Sequence, residues 1–346
     1  MNRLHNLDYL RGVAALGIML YHYSSWTLGN WSSADFMGRV GVYGVSIFYI
    51  LSGLTMGYVY LNKLELSPNG LVAFFKKRFL RIYPLLWLAS IATIVLSMKI
   101  PPTSKVLLNF TGFFGLIDWD NYIATGAWSI GNELVFYLFL PVFIFTLRKS
   151  KTLFWGVSLL ITYIFLHFSF IHVSADSMLK HEWNSYVNPL NQVFFFLLGF
   201  IVSWLLKSFP FSSLFSIGFI IFGLLLFIFY PVTGDLIKLI TEIPRLVFTL
   251  SCLLICIGFF KLEINAIAII HKPLSLLGEG SYSLYLLHPI AYNFMFLLNK
   301  HLLHFSSAFI VSVSIVLTFC LSYVVYMYFE KYFMRLAKSS AVSNNK

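Results

Sequence analysis

"GVAALGIMLYHYSSW", residues 12–26, is an apolar run that follows directly on Arg11 and carries His22. If the run is a membrane helix, both side chains need a partner or a task, because charge inside a bilayer is costly. The rest of the chain supports that reading. Of its 346 residues 59% are hydrophobic and only 11% charged, and mean hydropathy is +0.82. That is a membrane composition. A hydrocarbon layer of about 30 Å needs roughly 20 apolar residues per helix. Ten stretches qualify, near 9–28, 40–61, 79–98, 127–146, 153–172, 189–206, 213–230, 243–261, 276–298 and 306–329. They predict an all-α, polytopic membrane protein of about ten helices, with one membrane domain over 1–338 and a short, frayed polar tail over 339–346. The spans leave no room for a soluble catalytic domain, and the first reads as a retained helix without a cleaved signal.

Lysine and arginine are retained on the cytoplasmic side. With both termini cytoplasmic, seventeen of the 24 basic residues fall on inner segments. The formal charge of +11 thus follows from topology and contact with anionic membrane lipids, and calls for no nucleic acid. The longest inner segment, "LNKLELSPNGLVAFFKKRFLRIYP" at 61–84, reads as a turn and then an amphipathic helix lying on the inner surface. The longest outer loop, 99–126, runs into "DWDNYIATGAW" and suits a hydroxyl-rich ligand. Cys252, Cys256 and Cys320 lie within spans, at no metal-ligand spacing. His301 and His304 read as headgroup-level residues, and no metal site is expected.

Helix geometry sets the depths of the intramembrane groups. Eleven residues return a helix to nearly the same face, so Arg11 and His22 share a face roughly 16 Å apart along it. Counting from the predicted span ends puts His22 about 20 Å up from the inner surface and His288 about 18 Å up, with Glu133 and Ser46 each about 9 Å down from the outer one. In a core about 30 Å thick, these four gather in the outer half. Arg11, Arg78 and Arg81 gather at the inner surface, where bidentate contacts suit a polyanion. Singly, each has a plainer reading. Arg78 and Arg81 read first as topology anchors beside Lys76 and Lys77, Arg11 as snorkelling, His22 as a packing residue, and Glu133 as a structural carboxylate or part of a proton path. The joint arrangement favours chemistry.

Five segments, in order, resemble the acyltransferase 3 family of integral-membrane acyltransferases over nearly the whole chain. "LDYLRGVAALGIMLYH" is similar to its arginine and histidine signature, here Arg11 and His22. "GVSIFYILSG" resembles its second-helix segment, and "FFKKRFLRIYPLLW" its RxxRIYP motif, with Arg78, Arg81 and Pro84. "AWSIGNELVFYL" resembles WSxxxE, with Trp128, Ser129 and Glu133, and "GEGSYSLYLLHP" resembles SYxxYLxHxP, with Ser281, Tyr282, Tyr285, His288 and Pro289. Tyr9 and the proline-free "FEKYF" depart from the family pattern without touching either proposed active group.

The resemblance implies transfer of an acyl group, most often acetyl, from cytoplasmic acetyl-CoA to a glycan hydroxyl across the membrane. Acetyl-CoA is then a donor substrate, and no cofactor is held permanently. On this reading Arg78, Arg81 and Arg11 hold the CoA phosphates. His22 is the general base, Glu133 orients it, and Tyr285 with His288 donates to the thioester oxyanion. A covalent relay through His22 or Ser46 stays open beside direct transfer. Trp128, Ser129, Tyr137 and Ser46 are expected to bind the acceptor, with Trp128 and Tyr137 stacking on sugar rings. A stand-alone modifier of lipid-linked or nascent polysaccharide in a bacterial inner membrane is the expected setting. The alternative is a secondary transporter or flippase, which also gathers ionisable groups near the midplane.

Overall fold

The computed structural model describes residues 4–263 and 267–343. It is all-helical, with no strand among the described residues. The chain forms α1 (His5–Leu28), α2 (Phe36–Tyr60), α3 (Pro68–Ser97), α4 (Thr103–Thr111), α5 (Phe114–Ile117), α6 (Ala127–Lys149), α7 (Lys151–His167) and α8 (Trp183–Val187). It continues through α9 (Pro189–Leu206), α10 (Ser213–Phe229), α11 (Glu242–Lys261), α12 (Ala268–Glu279), α13 (Ser281–Leu298), α14 (Ser307–Val324) and α15 (Lys331–Ser343). Seven described helical segments are long and apolar enough to cross a membrane. They contain α2, α3, α6, α7, α9, α11 and α14, so the chain has the character of a multi-pass membrane protein. The other three predicted spans meet helices that are shorter or more polar: α1 with Asp8, Arg11 and His22, α10 with 17 residues, and α13 with its tyrosines and His288.

Three sequence expectations change. The predicted turn at "SPNG" is a helix start, where the Ser67 hydroxyl accepts from Gly70 N–H and Pro68 occupies the first turn. The amphipathic stretch and the third span are therefore one 30-residue helix, α3. At about 45 Å it is longer than the hydrocarbon is thick, with Lys76, Lys77, Arg78 and Arg81 in its N-terminal half. Second, the predicted span 276–298 is divided at Gly280 between α12 and α13. Third, the chain stays helical to Ser343, past the onset of the predicted frayed tail.

Small residues set the central crossing. A Cβ on Gly53 would lie 1.9 Å from the Phe196 carbonyl oxygen, and one on Gly199 2.0 Å from that of Ile50. The backbones of α2 and α9 therefore touch, as small residues allow in lipid. Two buried arginines tie helix ends together. Arg39 donates to the carbonyls of Phe227, Ile228 and Tyr230 at 2.7–2.9 Å, closing the C-terminus of α10. Arg245 donates to Ile240 and Asn191.

Candidate active site

A cavity of about 380 Å³ lies among α1, α2, α3, α6 and α13, with Met334 of α15 at its edge. Asp8, Arg11, Arg78 and Arg81 line one end, Ser52, Thr55, Glu133 and Tyr137 the middle, and Phe48, Tyr49, Ser129 and Tyr285 the other end. The order follows from chain direction, since α1, α3 and α13 run one way while α2 and α6 return.

The arginines are held mostly by neutral groups. Arg11 donates to Thr55 Oγ1 at 2.7 Å and Leu51 O at 3.2 Å, with Asp8 at 3.8 Å. Arg78 donates to Tyr60 Oη at 3.1 Å, and its guanidinium lies 5.5–5.9 Å from the ring centres of Tyr60, Phe74 and Tyr137. Its buried Nε has no partner. Arg81 donates to Met334 Sδ, and neither Arg78 nor Arg81 makes an ion pair among the described residues. Two cations lining a cavity with no carboxylate in ion-pair contact set a positive potential at that end of it.

Glu133 accepts from Ser52 Oγ at 3.0 Å and from Tyr137 Oη at 2.5 Å. It stands within this cavity and does not touch His22, contrary to the expected orienting pair. The depth estimate started α6 at the membrane surface, but α6 starts inside the protein. Its first six residues, Ala127 to Asn132, are all buried. Gly126, at φ +83° and with Tyr285 Oη 3.1 Å from where a Cβ would stand, turns the chain into it. Glu133 consequently faces the cavity that the arginines line and not His22.

The partner of His22 is His288. His22 Nδ1 and His288 Nε2 are 2.8 Å apart, with ring planes 14° from parallel. His288 is 1% exposed, and its Nδ1 lies 3.1 Å from Leu284 O. His22 is half-buried, and the ring of Trp26 lies parallel to it at 5.1 Å. Tyr23 locks the two helices together, donating to His288 O at 2.8 Å while meeting Thr318 Oγ1 at 2.6 Å. Tyr285 connects this pair to the cavity, since it lines the cavity end and its ring centre is 6.0 Å from that of His288.

The chain matches the acyltransferase 3 family, described as an acyltransferase domain, over residues 4–327. It belongs to that family. Among curated relatives, the O-acetyltransferase OatA of Staphylococcus aureus (strain NCTC 8325 / PS 47) is 26% identical over 324 residues, covering 82% of this chain and 50% of OatA. A chain from Staphylococcus aureus (strain COL), provisionally named an O-acetyltransferase, is 24% identical over 331 residues, covering 85% of this chain and 52% of its own length. The chain thus spans about half the length of these relatives. No solved structure matches it significantly.

Within this acyltransferase 3 fold, the remaining predicted residues separate. Ser129 Oγ bonds Tyr285 Oη at 2.9 Å, and Tyr285 donates to Gly126 O at 3.1 Å, so its proton is committed to the backbone and not aimed at an incoming carbonyl. Trp128 is buried against the rings of Tyr49, Trp183 and Tyr186 and presents no free face to a sugar. Tyr137 serves Arg78 and Glu133. Ser46 is buried in α2, outside the cavity lining. Sequence reading missed Thr55, Tyr60 and Phe74 around the arginines and Tyr23 and Trp26 around the histidines. For Trp26 a signal existed, since it is four residues from His22, one turn on along the same face.

Proposed function

We propose that this chain is a membrane O-acetyltransferase that takes acetyl from cytoplasmic acetyl-CoA and delivers it to a hydroxyl of a surface glycan such as an O-antigen, exopolysaccharide or capsule. One observation carries the reading: an arginine-lined cavity runs up to Tyr285, whose far side abuts the His22–His288 pair. Arg78, Arg81 and Arg11 hold the donor phosphates, and the pantetheine arm follows the cavity past Glu133 toward Ser129 and Tyr285. Arg11 and His22 are roughly 16 Å apart along α1, a span suited to an extended arm. His22 takes the proton of the acceptor hydroxyl, the oxygen attacks the thioester carbonyl, and the CoA thiolate leaves and takes the proton from His22. Bond made and bond broken balance, with no group held permanently. Ten crossings, both termini inside and a bacterial inner membrane complete the picture, with a lipid-linked or nascent polysaccharide as acceptor. The names of the curated relatives support O-acetyl transfer.

The test is calorimetric titration of acetyl-CoA into detergent-purified protein, with folding checked for every variant. The expected result is saturable binding by wild type and by His22→Ala, with binding lost in the Arg78→Ala, Arg81→Ala double variant. A folded wild type that does not bind acetyl-CoA overturns the donor assignment.

A further inference from the structure

We propose that His288 is a positioning residue that fixes the tautomer of His22, through a one-way hydrogen-bond chain anchored on the backbone of α13. The inference rests on the reading of His22 as the base. A carbonyl oxygen can only accept, so the 3.1 Å contact of His288 Nδ1 with Leu284 O requires a proton on that nitrogen. A neutral imidazole has one N–H, so His288 Nε2 carries a lone pair. The 2.8 Å contact then requires His22 to donate through Nδ1. His22 Nε2 is left as the basic atom, and among the described residues it has no hydrogen-bond partner. Direction is imposed from the backbone outward: Leu284 O accepts from His288, and His288 accepts from His22.

The anchoring carbonyl is one the helix already uses: Leu284 O stands one turn before His288, and Pro289, which has no N–H, frees only the neighbouring Tyr285 carbonyl from its helical donor. The His288 ring sits against the carbonyls of both Leu284 and Tyr285. Tyr23 of α1, itself bonded to Thr318 of α14, donates to the His288 carbonyl and fixes the His288 backbone beside His22. When His22 becomes an imidazolium, the same Nδ1–H still points at His288 Nε2. No proton need leave His288, and its role is orientation and stabilisation, as in a triad whose third member holds the base.

The test is 15N NMR of histidine-labelled protein in nanodiscs, with the His22 signals assigned by their loss in His22→Ala. Wild type is expected to show His22 protonated at Nδ1 and bare at Nε2. His288→Gln, whose side-chain carbonyl can still accept, is expected to keep that tautomer, and His288→Leu to lose it. CoA release from acetyl-CoA with water as the acetyl acceptor should fall on the order of 10²-fold or more in His288→Leu and largely survive in His288→Gln. His22 protonated at Nε2 in wild type overturns the proposal. Equal CoA release in His288→Leu and wild type also overturns it. Normal CoA release in His22→Ala would instead remove the base assignment while leaving the tautomer result intact, so the two failures are distinguishable.

Discussion

Arg78 shows what a single side chain gains from its surroundings. Its guanidinium sits among three aromatic rings and donates to Tyr60. A lysine would keep the charge but lose the planar fork that matches a phosphate and packs on rings. Arg78→Lys is therefore expected to weaken acetyl-CoA binding roughly ten-fold, about 1.4 kcal/mol, in calorimetric titration. Unchanged affinity would return Arg78 to the role of a topology anchor. The arginine itself was legible, because it lies in a recognisable basic motif. Its cage was not, since Tyr60 is 18 residues away and Tyr137 belongs to another helix, and no local pattern reports a contact between helices.

Close helix contact makes a sharper prediction for elements. Gly53→Ala or Gly199→Ala drives a methyl into the facing backbone of α9 or α2, and such overpacking costs typically about 1–3 kcal/mol. Either variant is expected to lower the thermal midpoint in detergent. Gly156, in α7 with nothing within 4 Å of its would-be Cβ, is the control. Gly156→Ala should leave the midpoint unchanged or raise it, because alanine is the better helix former by about 1 kcal/mol. Equal loss at all three positions would sink the packing argument. The sequence could not report this pairing, because Gly53 and the Phe196 carbonyl it meets belong to helices far apart in the chain. The placement of Glu133 is also an element-scale effect: a helix entering from within the protein has no surface from which to count.

At the scale of the whole molecule, orientation decides which solution reaches the arginine cavity. Arg39 and Arg245 are buried and spend their donors on backbone carbonyls, as Arg148 and Lys261 also do, so none of these four reports the orientation. In a Cys320→Ser background, cysteine at exposed Lys180 is expected to react with a membrane-impermeant maleimide in intact cells. Cysteine at exposed Lys76 should react only after permeabilisation. The reverse pattern would open the cavity to the outside and exclude a cytoplasmic nucleotide donor.

Composition and hydropathy alone pointed to a helical, multi-pass membrane chain, because continuous apolar runs of about 20 residues fit a spanning helix and are roughly twice as long as a barrel strand needs. Motif order alone determined the family, since side chains for a polyanion and for acid–base work recur there at set places along the helices. The tertiary structure decided the pairings. It joined His22 to His288, placed Glu133 in the cavity that the arginines line, covered Trp128 with other rings and tied the Tyr285 proton to Gly126. Each depends on how helices rotate and how deep they begin, and those quantities come from packing between segments far apart in the chain, where periodicity within a segment carries no information.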